Sequence, residues 1–253
     1  ARIPQIEVAV AENATALVYR VLDPTGGDDL DEFRRFGEEH DVRIYLQTGG
    51  LDSVSLLYPD TEQDPLYYTL PEFDVRIEFE PVDFVQINDE INQAMVGRAL
   101  ELLEPEQEHR VLDLFCGIGN FSLPLARRCG ETLGVEGEAT LVRRAAANAA
   151  GNALSNATFR QADLAAIDGT EKWLQGPWDR LLLDPARSGA AEVVRHIGRM
   201  DPARIVYVSC HPGTLARDAG VLVNEAGYTL DAAGIIDMFP HTAHVESIAV
   251  FNK

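Results

Sequence analysis

Val111-Leu112-Asp113-Leu114-Phe115-Cys116-Gly117-Ile118-Gly119-Asn120-Phe121-Ser122 is the stretch on which the fold turns. A short apolar run carries one acid, Asp113, at its end. Gly117 and Gly119 then make a tight loop, and a helix is expected from Ser122. Glycine lets backbone approach a bound molecule closely. The spacing is not the dinucleotide Gly-x-Gly-x-x-Gly, and there is no P-loop lysine. An acid at the strand end beside a Gly-x-Gly turn suits a cationic ligand better than a pyrophosphate.

Outward from this point the chain alternates. Strands are expected at 110–114, 132–135, 157–161, 180–183, 205–208 and 247–251, with helices at 122–128, 139–150, 190–200 and 213–225. Asn88 or Asp89 can cap a further helix on which Ile91, Met95, Ala99 and Leu102 recur at helical spacing. Such alternation predicts a mostly parallel sheet wrapped by helices. In sheets of this kind ligands bind outside the carboxyl ends of the strands. Two more acids fall at such ends. Glu136 closes the second strand, 23 residues after Asp113, where an acid can accept both hydroxyls of a ribose. Asp163 follows the third, level with an adenine amino group. Together they describe a site for S-adenosylmethionine. Asp184 ends the fourth strand after three leucines and opens Asp184-Pro185-Ala186-Arg187, whose arginine suits a phosphate or carboxylate.

The fifth strand runs into Ser209-Cys210-His211-Pro212-Gly213. This sets the Cys210 thiol at the same rim, placed for nucleophilic attack or, on the plainer reading, packed in the core. Cys116 and Cys129 are expected to pack. His241 and His244 have the spacing of a metal-binding pair, but no fourth ligand motif accompanies them, and no metal is expected.

The first 82 residues read differently. Strands at 6–10, 16–22, 42–46, 54–58, 66–70 and 75–79 surround one amphipathic helix at 30–40, and nothing there looks chemical. The expected organisation is a β-rich α+β lobe over 1–82 and an α/β domain over 83–253. The net charge of −20 divides as −12 in the first part and −8 in the second. That is the wrong sign for gripping nucleic acid through phosphate contacts alone. Three cysteines make no disulfide framework and cannot supply the four thiolates of a typical iron–sulfur cluster. With no apolar run long enough to span a membrane, a cytoplasmic protein without membrane partners, acting as a monomer, is expected.

Phe84-Val85-Gln86-Ile87-Asn88, the Gly loop, Leu183-Asp184-Pro185-Ala186-Arg187, Ser209 to Asp218, and His241-Thr242-Ala243-His244-Val245-Glu246-Ser247 together resemble the RNA (uracil-5-)-methyltransferases. The resemblance covers essentially the whole chain. It is strongest to members that act on bacterial 23S rRNA, rather than to those that act on tRNA. It implies a class I, Rossmann-like, S-adenosylmethionine-dependent methyltransferase domain, with the smaller lobe contacting RNA. By position, Gln86, Phe115, Asn120, Glu136, Asp163 and Asp184 match the family's cofactor contacts. Cys210 matches its nucleophile and Glu246 its general base. His211 stands where the family often has Asn, and some relatives have Asn in place of Asp163. An RNA cytosine-5 methyltransferase would carry a second cysteine in the Asp-Pro motif, which this chain lacks; a non-catalytic cofactor- or RNA-binding module is disfavoured by the intact Cys210 and Glu246. Full-length members also carry an amino-terminal RNA-binding TRAM domain and a four-cysteine iron–sulfur segment. Neither matches any part of these residues, so a catalytic fragment or reduced form is expected.

Overall fold

The computed structural model describes residues 1–61 and 63–253. The chain divides into two compact units, residues 1–69 with 76–85, and residues 70–75 with 86–253. Residues 83–85 thus group with the smaller unit and 70–75 with the larger.

In the smaller unit β1 (Gln5–Val10), β2 (Thr15–Arg20), β3 (Arg43–Gln47) and β4 (Val54–Tyr58) form a sheet in chain order. β2 and β3 pair in parallel because α1 (Gly27–His40) crosses between them; the other pairs are antiparallel. Phe33 of α1 packs on Tyr19, Val21, Ile44 and Leu46. β5 (Leu66–Leu70) and β6 (Val75–Phe79) make a separate two-stranded ribbon.

In the larger unit α2 (Asp89–Leu103) begins on Asn88, whose side chain accepts a hydrogen bond from the Ile91 N–H. Seven strands follow: β7 (Arg110–Leu114), β8 (Glu131–Glu136), β9 (Ala157–Gln161), β10 (Arg180–Leu183), β11 (Arg204–Ser209), β12 (Thr229–Ile236) and β13 (Glu246–Asn252). Their order across the sheet is β12-β13-β11-β10-β7-β8-β9. The pairs from β9 through β7 to β11 are parallel, and β13 inserts antiparallel beside β11. The order reverses between β7 and β10, so the ligand crevice of an open α/β sheet falls at the ends of these two strands. Leu112, Leu114, Leu181, Leu183, Ile205 and Tyr207 are nearly inaccessible, and they fill the core beneath that crevice.

Two expectations are corrected. The helix expected over 190–200 is two pieces, α5 (Ala191–Arg195) and α6 (Ile197–Met200), interrupted at His196. The strand β12 was not expected at all. Its residues, TLDAAGII, are exposed along almost their whole length. An edge strand with neither face buried carries no period-two hydrophobic signal, and only pairing with β13 defines it. α3 (Ser122–Arg128), α4 (Ala139–Gly151) and α7 (Pro212–Asn224) lie where the sequence puts them. No helix among the described residues is long and apolar enough to cross a membrane.

Candidate active site

The Gly loop after β7 is locked from three sides. Phe115 takes φ +66°, a left-handed conformation costly for a side-chain-bearing residue, while its N–H still bonds Val135 O at 2.9 Å. Gly119 has φ +101°, and a Cβ there would lie 2.0 Å from Leu123 Cδ1, so only glycine fits. Asn120 forms a reciprocal amide pair with buried Asn92 of α2, at 2.9 and 3.2 Å. Asn92 carried no signal in the sequence beyond being a polar residue on a helix.

Glu136, at the end of β8, accepts from the Gly117 N–H at 3.1 Å and from Gly137 and Glu138 N–H at 2.7 and 3.1 Å. The carboxylate therefore links the first two strand ends. Asp163 lies exposed past β9 and accepts from the Ala165 N–H at 2.9 Å. Asp184 continues β10, its N–H directed to Leu114 O at 3.4 Å. Gln86 is half-buried at the start of the larger unit.

Asp113 is wholly buried. One oxygen accepts from Ser122 Oγ, and Oδ1 has no hydrogen-bond partner. Burial, followed by the charge of Glu136, pushes its carboxyl up to about 7. Burial, then Asp113 and Glu246, pushes Asp184 up to about 8. These are carboxyls crowded into low dielectric, where burial and neighbouring acids disfavour their charged forms. A cation brought among them relieves both effects, so this donor set fits a sulfonium and not a phosphate.

A stability prediction follows from Asp113. Its carboxyl binds protons more tightly folded than unfolded, so the cost of burying its charge is absent below the ordinary value of 3.8. The cost grows as pH rises from about 4 to about 7 and is then constant, at roughly 4 kcal/mol. Asp113→Asn is expected to raise the melting temperature at pH 8 by about 5 °C or more, and by less at pH 5. Melts at the two pH values check this; an equal shift at both would refute the linkage.

On the other side of the switch point, β11 and β13 run antiparallel from Arg204 against Asn252 to Ser209 against Ser247. Ser247 Oγ donates to Ser209 O at 3.1 Å. Continuing that register by one residue sets Cys210 opposite Glu246. Cys210 is half-buried and Glu246 is 6% exposed. Burial pushes the Cys210 thiol up, and Glu246 and Asp184 add to this. Burial likewise raises the Glu246 carboxyl above its ordinary value. His211 caps α7, its Nδ1 accepting from the Thr214 N–H at 3.2 Å. His244 meets Arg187 Nη2 through Nδ1 at 3.0 Å. Cys116 and Cys129 are buried, and burial raises both thiols. No cluster of three metal-ligating side chains occurs among the described residues.

A cation-seeking cradle at the switch point of such a sheet makes the larger unit a Rossmann-like domain of the S-adenosylmethionine-dependent methyltransferase class. Comparison with known proteins narrows the class. The family model described as tRNA (uracil-5-)-methyltransferase matches residues 61–253, and the chain belongs to that family. The 23S rRNA (uracil(1939)-C(5))-methyltransferase RlmD of Methylococcus capsulatus is 52% identical over 252 residues, which is 100% of this chain and 57% of that protein. The RlmD of Stenotrophomonas maltophilia is 53% identical over 99% of the chain and 56% of its own length. The chain thus spans a little over half the length of these relatives. Among solved structures, the Pyrococcus abyssi tRNA (uracil-54, C5)-methyltransferase in complex with S-adenosyl-L-homocysteine superposes with a TM-score of 0.75 at 27% identity. That match covers 96% of this chain and 58% of the other.

Proposed function

We propose that this chain methylates C5 of a uridine in 23S rRNA, using S-adenosylmethionine, through a covalent bond between Cys210 and C6 of the base. The observation that carries this reading is the β11–β13 register, which sets a thiol opposite a buried carboxyl beside the cation-seeking cradle. Gln86, Phe115, Asn120, Glu136, Asp163 and Asp184 would hold the cofactor. Glu136 suits the ribose hydroxyls and Asp163 the adenine amino group, while Asp184 with Asp113 offsets the positive sulfur. When bound, S-adenosylmethionine supplies an electrophilic methyl group to C5.

C5 of uracil is a poor nucleophile by itself. The Cys210 thiolate adds to C6, forming the S–C6 bond and driving the C5–C6 π pair toward O4 as an enolate. That enolate is nucleophilic at C5. After methylation C5 carries both a methyl group and its original hydrogen. Glu246 takes that proton, the electron pair re-forms C5=C6, and Cys210 leaves as thiolate. The target base must be turned out of its stack to reach this rim. Residues 1–82, at net −12, give RNA little phosphate attraction, so tight RNA binding would need positive charge from elsewhere. Weak affinity of the chain alone for an rRNA stem-loop is the expected outcome.

The closest alternative is a tRNA uridine, favoured by the family's description and by the tRNA enzyme among solved structures. Identity of 52–53% to RlmD along the whole chain supports the ribosomal substrate. The test uses RNA bearing 5-fluorouridine, with S-adenosylmethionine present. Fluorine cannot leave as a proton does, so Glu246 has nothing to remove and the S–C6 bond should survive denaturation. An adduct on a 23S stem-loop and not on tRNA, mapped to Cys210, is expected. A tRNA-only adduct would move the substrate, and no adduct on bound RNA would remove the mechanism.

A further inference from the structure

The Gly loop after β7 is held by its backbone at several points. The Gly117 N–H reaches Glu136, and the Gly119 N–H donates to Cys116 O at 2.9 Å. From α4, Asn148 Nδ2 donates to Ile118 O at 3.2 Å. These bonds fix the path of the loop. They do not orient the Asn120 amide, whose χ2 is a broad, roughly two-fold torsion.

A side chain of α2 meets that amide. Asn120 Nδ2 donates to Asn92 Oδ1 at 2.9 Å, and Asn92 Nδ2 donates to Asn120 Oδ1 at 3.2 Å. Two bonds running in opposite directions fix both the plane of the amide and the positions of its oxygen and nitrogen. Asn92 is 2% exposed, and Met95, Val96 and Ala99, its neighbours on that face of α2, are buried and apolar. A polar side chain in such a row costs free energy unless it is hydrogen-bonded, and an apolar one would pack there without that demand. Asn92 is itself anchored in the first turn of α2, its N–H donating to Asn88 O at 2.8 Å, two residues after Gln86. The amide pair thus ties the segment that bears Gln86 to the loop that bears Phe115 and Asn120.

We infer that Asn92 is a positioning residue for the cofactor: it sets the orientation in which the Asn120 amide meets S-adenosylmethionine. Asn92 acts through Asn120 and does not touch the cofactor itself. The inference rests on Asn120 being a cofactor contact, and its test separates the two claims without RNA.

Calorimetric titration with S-adenosylmethionine, well below the melting temperature and on samples whose circular dichroism matches the parent, reads the effect. Asn92→Leu keeps the volume and removes the amide. It should weaken binding by about tenfold, the scale of one oriented hydrogen bond. Asn92→Ala removes the amide without filling its place and should weaken binding similarly, so the result does not hang on how leucine packs. Leu103→Ala, at the far end of the same helix and also buried, should lower the melting temperature at least as much. Its affinity should nevertheless stay within about twofold of the parent. Asn120→Ala should weaken binding about as much as Asn92→Leu, and combining the two should weaken it no further, because the pair acts as one device. A merely structural Asn92 would lower the melting temperature and leave affinity at the parent value, as Leu103→Ala does, and that result would overturn the inference. So would a double variant whose losses multiply, since Asn92 would then act by another route. If Asn120→Ala is weakened while both Asn92 variants bind as the parent does, this inference fails alone. If Asn120→Ala binds like the parent, or the parent does not bind, the cofactor assignment fails and the role of Asn92 goes with it.

Discussion

Cys210→Ala is expected to abolish methyl transfer to RNA, by about four orders of magnitude or more. That is the scale on which loss of an attacking nucleophile acts in covalent enzymes. The size follows from the substrate: without sulfur on C6 there is no enolate, and an uncharged C5 is almost inert toward a methyl donor. Binding of S-adenosylmethionine should change by less than about twofold, because the proposed cofactor contacts Glu136, Asp163 and Asp184 stand at or just beyond the ends of β8, β9 and β10, apart from the Cys210 segment. Transfer of labelled methyl groups, with calorimetric titration of the cofactor on the same sample, separates the two effects. Retained methyl transfer would exclude addition to C6 by this residue. Lost cofactor binding would instead place Cys210 in the packing of the cradle.

Most parts of this site that the sequence announces share one property: they stand where a buried strand stops. Glu136, Asp184 and Cys210 all follow apolar runs that stop abruptly, and a polar side chain at such a stop has to face the rim; Asp113 lies one residue inside β7 and is wholly buried. Glu246 lies at the start of an apolar run, on the one strand that enters antiparallel. The role proposed for it comes only from the resemblance of its motif, since nothing local says that β13 runs backwards. Other features depend on contacts between segments far apart in the chain. Asn92 meets Asn120 across 28 residues, Arg187 meets His244 across 57, and Asp218 meets Ala190 across 28. A polar residue on a helix looks the same in sequence whether it clamps a loop or faces water. β12 was missed for the converse reason. With both faces exposed it has no hydrophobic period, and it exists because β13 offers it an edge.

Glu246→Gln should give the opposite outcome to Cys210→Ala: chemistry that starts and does not finish. Glutamine is nearly isosteric, so the packing around the thiol and Asp184 should be kept. Addition and methylation therefore proceed, and the thiol even loses one of the negative charges that push it up. The proton on C5 then has no base to take it, and Cys210 cannot leave until it goes. Release should slow by about a thousandfold, within the range general-base removal produces. A methylated, denaturation-resistant protein–RNA complex should then accumulate on ordinary uridine RNA, without fluorine. The pH dependence has a definite sign. Burial raises the Glu246 carboxyl, so the parent's release step should weaken as pH falls through that elevated value, while the variant's slow release shows no such fall. Gel retention of labelled RNA under denaturing conditions reads the complex, and the label identifies the methyl. Normal turnover by Glu246→Gln would assign the proton to another base, and Asp184, pushed up to about 8 beside the same sulfur, is the carboxyl that would then have to carry it. An unmethylated complex would instead place Glu246 before methyl transfer, at the thiol's own deprotonation.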